Sequence, residues 1–519
     1  MTRSGSSEDL RSVVLLDDSS TVAAEAAPGG ANGTVVVWFG STPPPPAITT
    51  NATVVTTRGA GPRAIVELAL RLRRDAKEHG RIDVVRACGG ALWTTAVLLG
   101  AVLGAAVVCD VDESPGSRAR LASPRTRALL RVFKPVMVGE TQAARDAVPR
   151  SVPSVASVPG LAARNLVTRA GTPRFLAVNA RYEGRPTTGV ERYAQEITRH
   201  LTVPVARFSP PARAASGPLG HAWEQVVLPL RAVWYRCELL DLCNFGPLLT
   251  RRQAVVLHDI APVDHPEWFG PRYRAWYGFV VRALYRRADH VVTDSEFTRG
   301  RLEAHWGPRP NVSVIPLGVA DDFAPERRES RTPEHYVCFV GSIEPRKNLA
   351  TLLDAMDRVR KDDAELTLVV VGALGPRRVF GDAPIVLDRP GITHVAHASD
   401  AQLRALVAGA ECLVYPSHYE GFGLPPLEAM ALGTPVVVSD IPVMREVCGD
   451  AARFAEPTSA SDLAAAIAGI SSLSPDARED LVRRGRDHAR TFRWPDAARR
   501  LEELVWAPCE AGSTPAARR

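Results

Sequence analysis

The sequence predicts an α/β protein of successive Rossmann-like units, each a parallel sheet covered by helices. Short β-branched runs alternate with helical stretches along most of the chain. Part of the sequence repeats in the same order at similar spacing. Its length, 519 residues, suits about three domains of roughly 150 residues each.

In chain order, residues 1–33 are rich in Ser, Gly, Ala and Asp and are expected to form a disordered tail. A first unit, 34–165, opens with the strands TVVVWF (34–39), ATVVTT (52–57), IDVVRA (82–87) and AVVCDV (106–111), with TPPPP (42–46) as a stiff loop. The second unit, 174–320, echoes it. AAVVCDVDESP (105–115) returns as QAVVLHDIAPV (253–263), KPVMVGETQAARDAV (134–148) as DHVVTDSEFTRGRL (289–302), and SVASVPGLA (154–162) as NVSVIPLGVA (311–320). A third unit, 335–490, predicts strands at 335–341, 366–372, 392–397, 411–417 and 434–440, with helices at 349–360, 401–410 and 425–432. An amphipathic helix within 491–506 and a disordered tail, 507–519, close the chain.

Composition narrows the function. The chain is 45% hydrophobic and 23% charged, with a net charge of +6. It has no basic run interleaved with aromatics, so nucleic acid is not an expected partner. The eight cysteines include no C-x-x-C pair, which gives no sign of a zinc site or a disulfide framework. The N-terminus carries no apolar signal region, and a cytoplasmic location is expected. Residues 87–109 are uncharged and long enough to span a bilayer. Gly100, Gly104 and the acids that follow favour a buried helix, about 91–103, and then a strand at 105–109.

The chemistry concentrates in YPSHYEGFGLPPLEAMALGTPVVVSD (415–440). A buried strand ends at Ser417, and Gly421 and Gly423 let the backbone approach a ligand closely. Pro425 and Pro426 mark a helix start, whose N–H groups and dipole suit a phosphate. Glu420 lies before that helix and Glu428 one turn inside it. A second element, VGSIEPRKNLATLLDA (340–355), sets Arg346 and Lys347 at a strand-to-helix turn. Two cations there suit a leaving diphosphate.

E-G-F-G-L-P-P-L-E resembles the E-x7-E motif of the retaining GT-B glycosyltransferases of family 4, and E-P-R-K-N resembles a second element of that family. The resemblance covers about 174–506. It implies two facing Rossmann-like domains, 174–320 on the acceptor side and 335–490 for the donor, preceded by an additional Rossmann-like unit. It further implies that Glu420 lies beside the donor sugar, that Glu428 holds the nucleotide ribose, and that the backbone of Gly421, Phe422, Gly423 and Leu424 meets the pyrophosphate and sugar. Lys347 would contact the diphosphate with Arg346; where some relatives carry another arginine, this chain has Ser342. NARYEGRPTTGVERYAQEI (179–197) places Gly189 near the donor phosphate. HDIAPVDHPEWF (258–269) resembles the branch of bacterial mannosyltransferases acting on polysaccharides and puts His258 at the reacting region; SEFTRGRL and VIPLGV complete the match. The terminal helix would cross back to the acceptor domain, with Phe492 and Trp494 as anchors.

The resemblance thus implies a hexosyltransferase, mannose favoured over glucose. Its co-substrate would be a GDP- or UDP-linked sugar and its acceptor a glycan, a lipid-linked glycan or a small molecule. No separate cofactor and no metal are expected, since no D-x-D stands in a donor loop. Peripheral contact with the inner face of the membrane stays open. The first unit departs from the pattern: Asp110–Val111 stands where the second copy has His258–Asp259, and no donor half follows. Its Gly59–Ala64 match to G-x-G-x-x-A, with Asp83 as a ribose-binding acid, is weaker than a plain turn. Two rival readings remain, a catalytically inactive sugar-nucleotide-binding scaffold and a membrane assembly protein anchored through 87–109.

Overall fold

The computed structural model describes residues 175–183, 188–210, 217–235, 237–319, 334–375, 387 and 389–506, with seven strands before residue 157 and positions 68, 72 and 96. Contacts divide the chain into two units. One runs to residue 185 and takes in 201–240 and 502 onward; the other holds 186–200 and 241–501.

The first unit contains β1 (Arg11–Leu16), β2 (Thr34–Trp38), β3 (Thr53–Thr56), β4 (Ile82–Ala87), β5 (Ala106–Val111), β6 (Val136–Gly139), β7 (Ser154–Ala156), β8 (Leu176–Asn179), β9 (Val205–Phe208) and most of β10 (Glu238–Asp241). They lie in the order β10-β8-β9-β7-β6-β5-β4-β1-β2-β3. Where β7 meets β9 the pairing is antiparallel, Val155 opposite Ala206. One expectation fails here. Residues 11–16, assigned to a disordered tail, form β1, which pairs in parallel with both β2 and β4. RSVVLL is a short β-favouring run inside a polar surround, and averaging over that surround hid it. The Gly59–Ala64 match, the TPPPP loop and nearly all of the expected helix at 91–103 lie outside the described residues. Among the described residues no helix is long and apolar enough to cross a membrane.

The second unit carries β11 (Gln253–Leu257), β12 (His290–Thr293) and β13 (Val312–Val314), paired in parallel. The strands of the repeat therefore keep one order: β5-β6-β7 in the first copy and β11-β12-β13 in the second. A further sheet of six parallel strands runs β16-β15-β14-β17-β18-β19, where β14 is Tyr336–Val340, β15 Thr367–Val371, β16 Ile392–Val395, β17 Leu413–Tyr415, β18 Val436–Ser439 and β19 Arg453–Ala455. The central strands are buried along their length except at Val340, the last residue of β14. Their near-continuous Val, Leu and Phe content is that of a sheet covered on both faces.

Helices of this unit used below are α1 (Gly189–His200), α2 (Pro271–Arg287), α3 (Glu296–Trp306), α4 (Leu349–Val359), α5 (Asp400–Ala408) and α6 (Leu424–Leu432). The crossing segment is fixed by backbone. The Val319 N–H donates to Phe492 O at 3.0 Å. A Cβ on Gly318 would fall 2.1 Å from Trp494 N, so glycine is required. The indole of Trp494 packs edge-on to Tyr193, 5.9 Å between centroids.

Candidate active site

The turn after β14 builds the cationic side of the site. Gly341 takes φ 155°, a short 3-10 turn spans Pro345–Lys347, and Asn348 adopts the left-handed region at φ 55° before α4 begins. Asn tolerates that conformation better than most residues other than glycine. Here Nδ2 donates to Pro416 O at 2.9 Å and to Pro457 O at 2.7 Å. The turn is thereby tied to the end of β17.

That tie brings Arg346 and Lys347 onto Glu420. Lys347 Nζ donates to Glu420 Oε1 at 2.6 Å and to Tyr415 Oη at 2.5 Å. Arg346 Nη1 donates to Glu420 Oε2 at 2.8 Å, while Nη2 pairs with Glu344 Oε1 at 2.8 Å. Glu420 and Lys347 are 5% and 7% exposed, so water screens little of this pairing. Burial pushes the Glu420 carboxyl up, but Arg346 and then Lys347 outweigh it and hold the value at about 2. Burial likewise pushes the Lys347 ammonium down, against the pull of Glu420. An ammonium has three N–H donors, so one remains beyond these two bonds.

The glycine-rich loop is shaped by the protein itself. A Cβ on Gly421 would lie 1.9 Å from the His258 carbonyl oxygen. The Gly421 carbonyl accepts from Ser295 Oγ at 2.6 Å and from Thr298 Oγ1 at 3.3 Å. Gly423, at φ 108°, precedes α6 without any side-chain cap. Phe422 is buried edge-on to Phe492, 5.9 Å between centroids. The Phe422 ring thus serves packing, and its backbone stays part of the loop expected to meet the donor. Leu424 is buried at the first position of α6. Pro425 and Pro426 follow it and carry no N–H, which thins the donor set at this helix start.

Glu428 sits one turn into α6 and is also held. Arg192 Nη1, on α1, donates to its Oε1 at 2.7 Å, and Arg192 Nη2 reaches Asp400 Oδ1 at 2.7 Å. Burial raises the Glu428 carboxyl despite Arg192. A small cleft beside it is lined by Val340, Leu403, Val407 and Pro425. Gly189 is exposed at the first residue of α1, with nothing within 4 Å of the position a Cβ would take.

His258 follows β11, and both of its ring nitrogens are engaged inside the protein. Nδ1 lies 2.6 Å from Asp294 Oδ2 and Nε2 lies 2.9 Å from Leu242 O. A carbonyl only accepts, so Nε2 carries hydrogen and one proton is shared between Nδ1 and Asp294. Burial lowers the ring's affinity for that proton, yet Asp294 raises the His258 pKa overall. Tyr193 stands edge-on at 4.8 Å. The ring expected at the reacting region is therefore engaged by an internal pair. The His258 backbone, through its contact with Gly421, touches the glycine loop instead.

Several residues here escaped sequence reading. Asp264 accepts from Arg301 Nε at 2.9 Å, Arg301 Nη2 at 2.7 Å and Tyr419 Oη at 2.9 Å, and lies 2.6 Å from His305 Nε2. Arg192, Asp294, Tyr415 and Asp400 were equally invisible, since each acts across long sequence separations. Ser295 left a signal: a serine before a helix reads as a cap, and its Oγ does accept from Thr298 N at 3.1 Å.

Comparisons with known proteins cover these same stretches of chain. Residues 238–323 match Glycosyltransferase Family 4 and residues 321–488 match Glycosyl transferases group 1. The chain is 30% identical over 288 residues to O-antigen chain mannosyltransferase B of Escherichia coli, covering 51% of this chain and 74% of that protein. The chain belongs to glycosyltransferase family 4. It is a glycosyltransferase with the GT-B fold. It is also 33% identical over 279 residues to MMP alpha-(1->4)-mannosyltransferase of Mycolicibacterium hassiacum, covering 50% of this chain and 65% of that protein. Among solved structures, WaaG, a glycosyltransferase involved in lipopolysaccharide biosynthesis, aligns at TM-score 0.49 and 16% identity, covering 64% of this chain and 100% of that one.

Proposed function

We propose that this family 4 enzyme transfers a mannosyl group from a nucleoside-diphosphate sugar to a hydroxyl of a glycan or lipid-linked acceptor, with retention of anomeric configuration. The observation that carries the reading is the buried carboxylate of Glu420 held between Arg346 and Lys347 at 2.8 and 2.6 Å. Glu420 stays ionised and places negative charge where the sugar carbon becomes positive. Lys347, with its remaining N–H, and Arg346 face the diphosphate whose charge grows as the bond breaks. Glu428, fixed on α6, receives the ribose. Front-face attack, with the departing phosphate taking the acceptor proton, needs no separate base, which fits a His258 already paired with Asp294. The choice of mannose follows the names of the two curated relatives.

The test is turnover of a panel of GDP- and UDP-sugars with mannose-terminated and lipid-linked acceptors, with the product linkage read by NMR. Consumption of a nucleoside-diphosphate mannose that is abolished by Glu420→Gln supports the proposal, whereas turnover of another hexose donor alone overturns the choice of mannose. Tight nucleotide-sugar binding without turnover of any donor rejects it in favour of an inactive binding protein.

A further inference from the structure

Tyr415 is the last residue of β17, at the strand end where ligands meet an open α/β sheet. Its side chain is buried, and a Cβ on Gly423 would lie 3.9 Å from its ring. It thus forms part of the floor beneath the glycine loop. An apolar side chain would fill this place without burying a hydroxyl, and a buried hydroxyl costs free energy unless it is bonded. Here the oxygen accepts from Lys347 Nζ at 2.5 Å, while Nζ lies 4.7 Å from the ring centroid. An ammonium so near the oxygen and so far from the centroid stands at the hydroxyl edge of the ring, not over its face. The hydrogen bond, rather than a cation–π contact, is therefore what Tyr415 offers Lys347. Burial first, and then the Glu420 carboxylate, hold the phenol well above its ordinary value, so it stays neutral.

We propose that Tyr415 is a positioning residue, whose hydroxyl aims the remaining N–H of Lys347 at the diphosphate of the donor. This role rests on the contact proposed above between Lys347 and that diphosphate. The bond from Nζ to Glu420 Oε1, at 2.6 Å, leaves a four-carbon stem free to swing about the carboxylate oxygen. A second bond, to a group on a different element, fixes the ammonium in place and in rotation. The three hydrogens keep tetrahedral directions, so two bonds settle where the third points. The two partners are not equivalent. Glu420 offsets the charge of the cation, whereas a neutral phenol orients it and leaves the charge for an anion.

The experiment is calorimetry of the full chain with GDP against GMP and with UDP against UMP. The parent should prefer the diphosphate of the pair that it binds by at least about tenfold. Lys347→Met should remove most of that preference, with Lys347→Gln in its place if Lys347→Met does not fold. Tyr415→Phe, which keeps the ring, should lower the preference about fivefold and leave monophosphate affinity within about twofold of the parent. Loosened packing around the site would weaken both nucleotides alike. In the Lys347 variant, Tyr415→Phe should change the preference no further, because the hydroxyl acts through that ammonium. An unchanged preference in Tyr415→Phe, equal losses for both nucleotides, or a further loss in the Lys347 background would each overturn the proposal. A Lys347 variant that keeps the full preference would mean that Lys347 does not meet the diphosphate, and the role of Tyr415 falls with it. A Lys347 variant that loses the preference beside a Tyr415→Phe that keeps it would overturn the role of Tyr415 alone.

Discussion

Arg192 holds the carboxylate of Glu428: Nη1 to Oε1 is 2.7 Å, and its second amino group reaches Asp400 at 2.7 Å. One Glu428 oxygen is thus committed to α1, and the other is the one proposed to take a ribose hydroxyl. Glu428→Ala should weaken nucleoside-diphosphate binding by about 1.5–3 kcal/mol, the worth of a hydrogen bond to a charged acceptor. Arg192→Ala should instead cost about 1–3 kcal/mol of stability, because Glu428 is left buried without its cation, and should weaken binding less. Calorimetry and urea denaturation separate the two effects. Equal loss of affinity in both variants would mean that Arg192 itself binds the donor.

The Glu420 triad makes a pH signature. Its folded value of about 2 lies below the ordinary glutamate value of about 4.3. The unfolded chain therefore binds more protons between those limits. The stability that Glu420 contributes is complete above about pH 4.3 and declines as pH falls toward 2. Glu420→Gln should accordingly be less stable than the parent at pH 7, and the gap should narrow below about pH 4.3. Urea midpoints for both proteins at matched pH give the answer; a gap independent of pH would show that charge is not what the site uses.

Lys347 is more enclosed than a surface cation at a ligand's edge. Its Nζ also lies 4.7 Å from the Tyr415 ring centroid. Lys347→Met alone should destabilise the fold, since it leaves Glu420 with one cation fewer. Lys347→Met with Glu420→Gln removes both charges and should recover about half or more of that loss. Activity should stay abolished in the double variant. Recovery of turnover along with stability would make Lys347 a structural cation and nothing else.

Gly421 is tested by a methyl group. The His258 carbonyl would lie 1.9 Å from it, and backbone cannot step aside as a side chain can. Gly421→Ala should cost about 1–3 kcal/mol and displace the loop carrying Glu420, lowering kcat about a hundredfold. Gly300, exposed on α3 with nothing within 4 Å of a Cβ, is the control. Gly300→Ala should be neutral or stabilise by about 0.5–1 kcal/mol.

The sequence made the strands and helices around the site legible because period and punctuation are local. The expected helix at 425–432 is observed at Leu424–Leu432, and the strand at 434–440 at Val436–Ser439. Glu420, Lys347 and Arg346 were found because motif spacing places them at strand ends, and the fold joins them. Phe422 and His258 illustrate the limit. A motif gives their positions, yet Phe422 turns to Phe492, and His258 to Asp294, across long stretches of chain. Partners of that kind follow from tertiary packing, and no local pattern records them.

The first copy of the repeat offers the last test. All the groups proposed to meet the donor, and Arg192 that holds Glu428, belong to the unit holding 186–200 and 241–501. Residues 1–164 supply β1–β7 to the other unit, and β7 pairs with β9 through Val155 and Ala206. Removing them deletes none of the residues proposed for the donor but strips β9 of one neighbour, and an unpaired strand edge invites association between chains. A protein starting near Arg164 should therefore bind nucleoside diphosphate within about twofold of the full chain, while aggregating at lower concentration. Calorimetry and light scattering measure both. If the truncated protein is monomeric and folded but binds no donor that the full chain binds, the first copy contributes to the site, and the assignment of donor binding to the second unit alone is wrong.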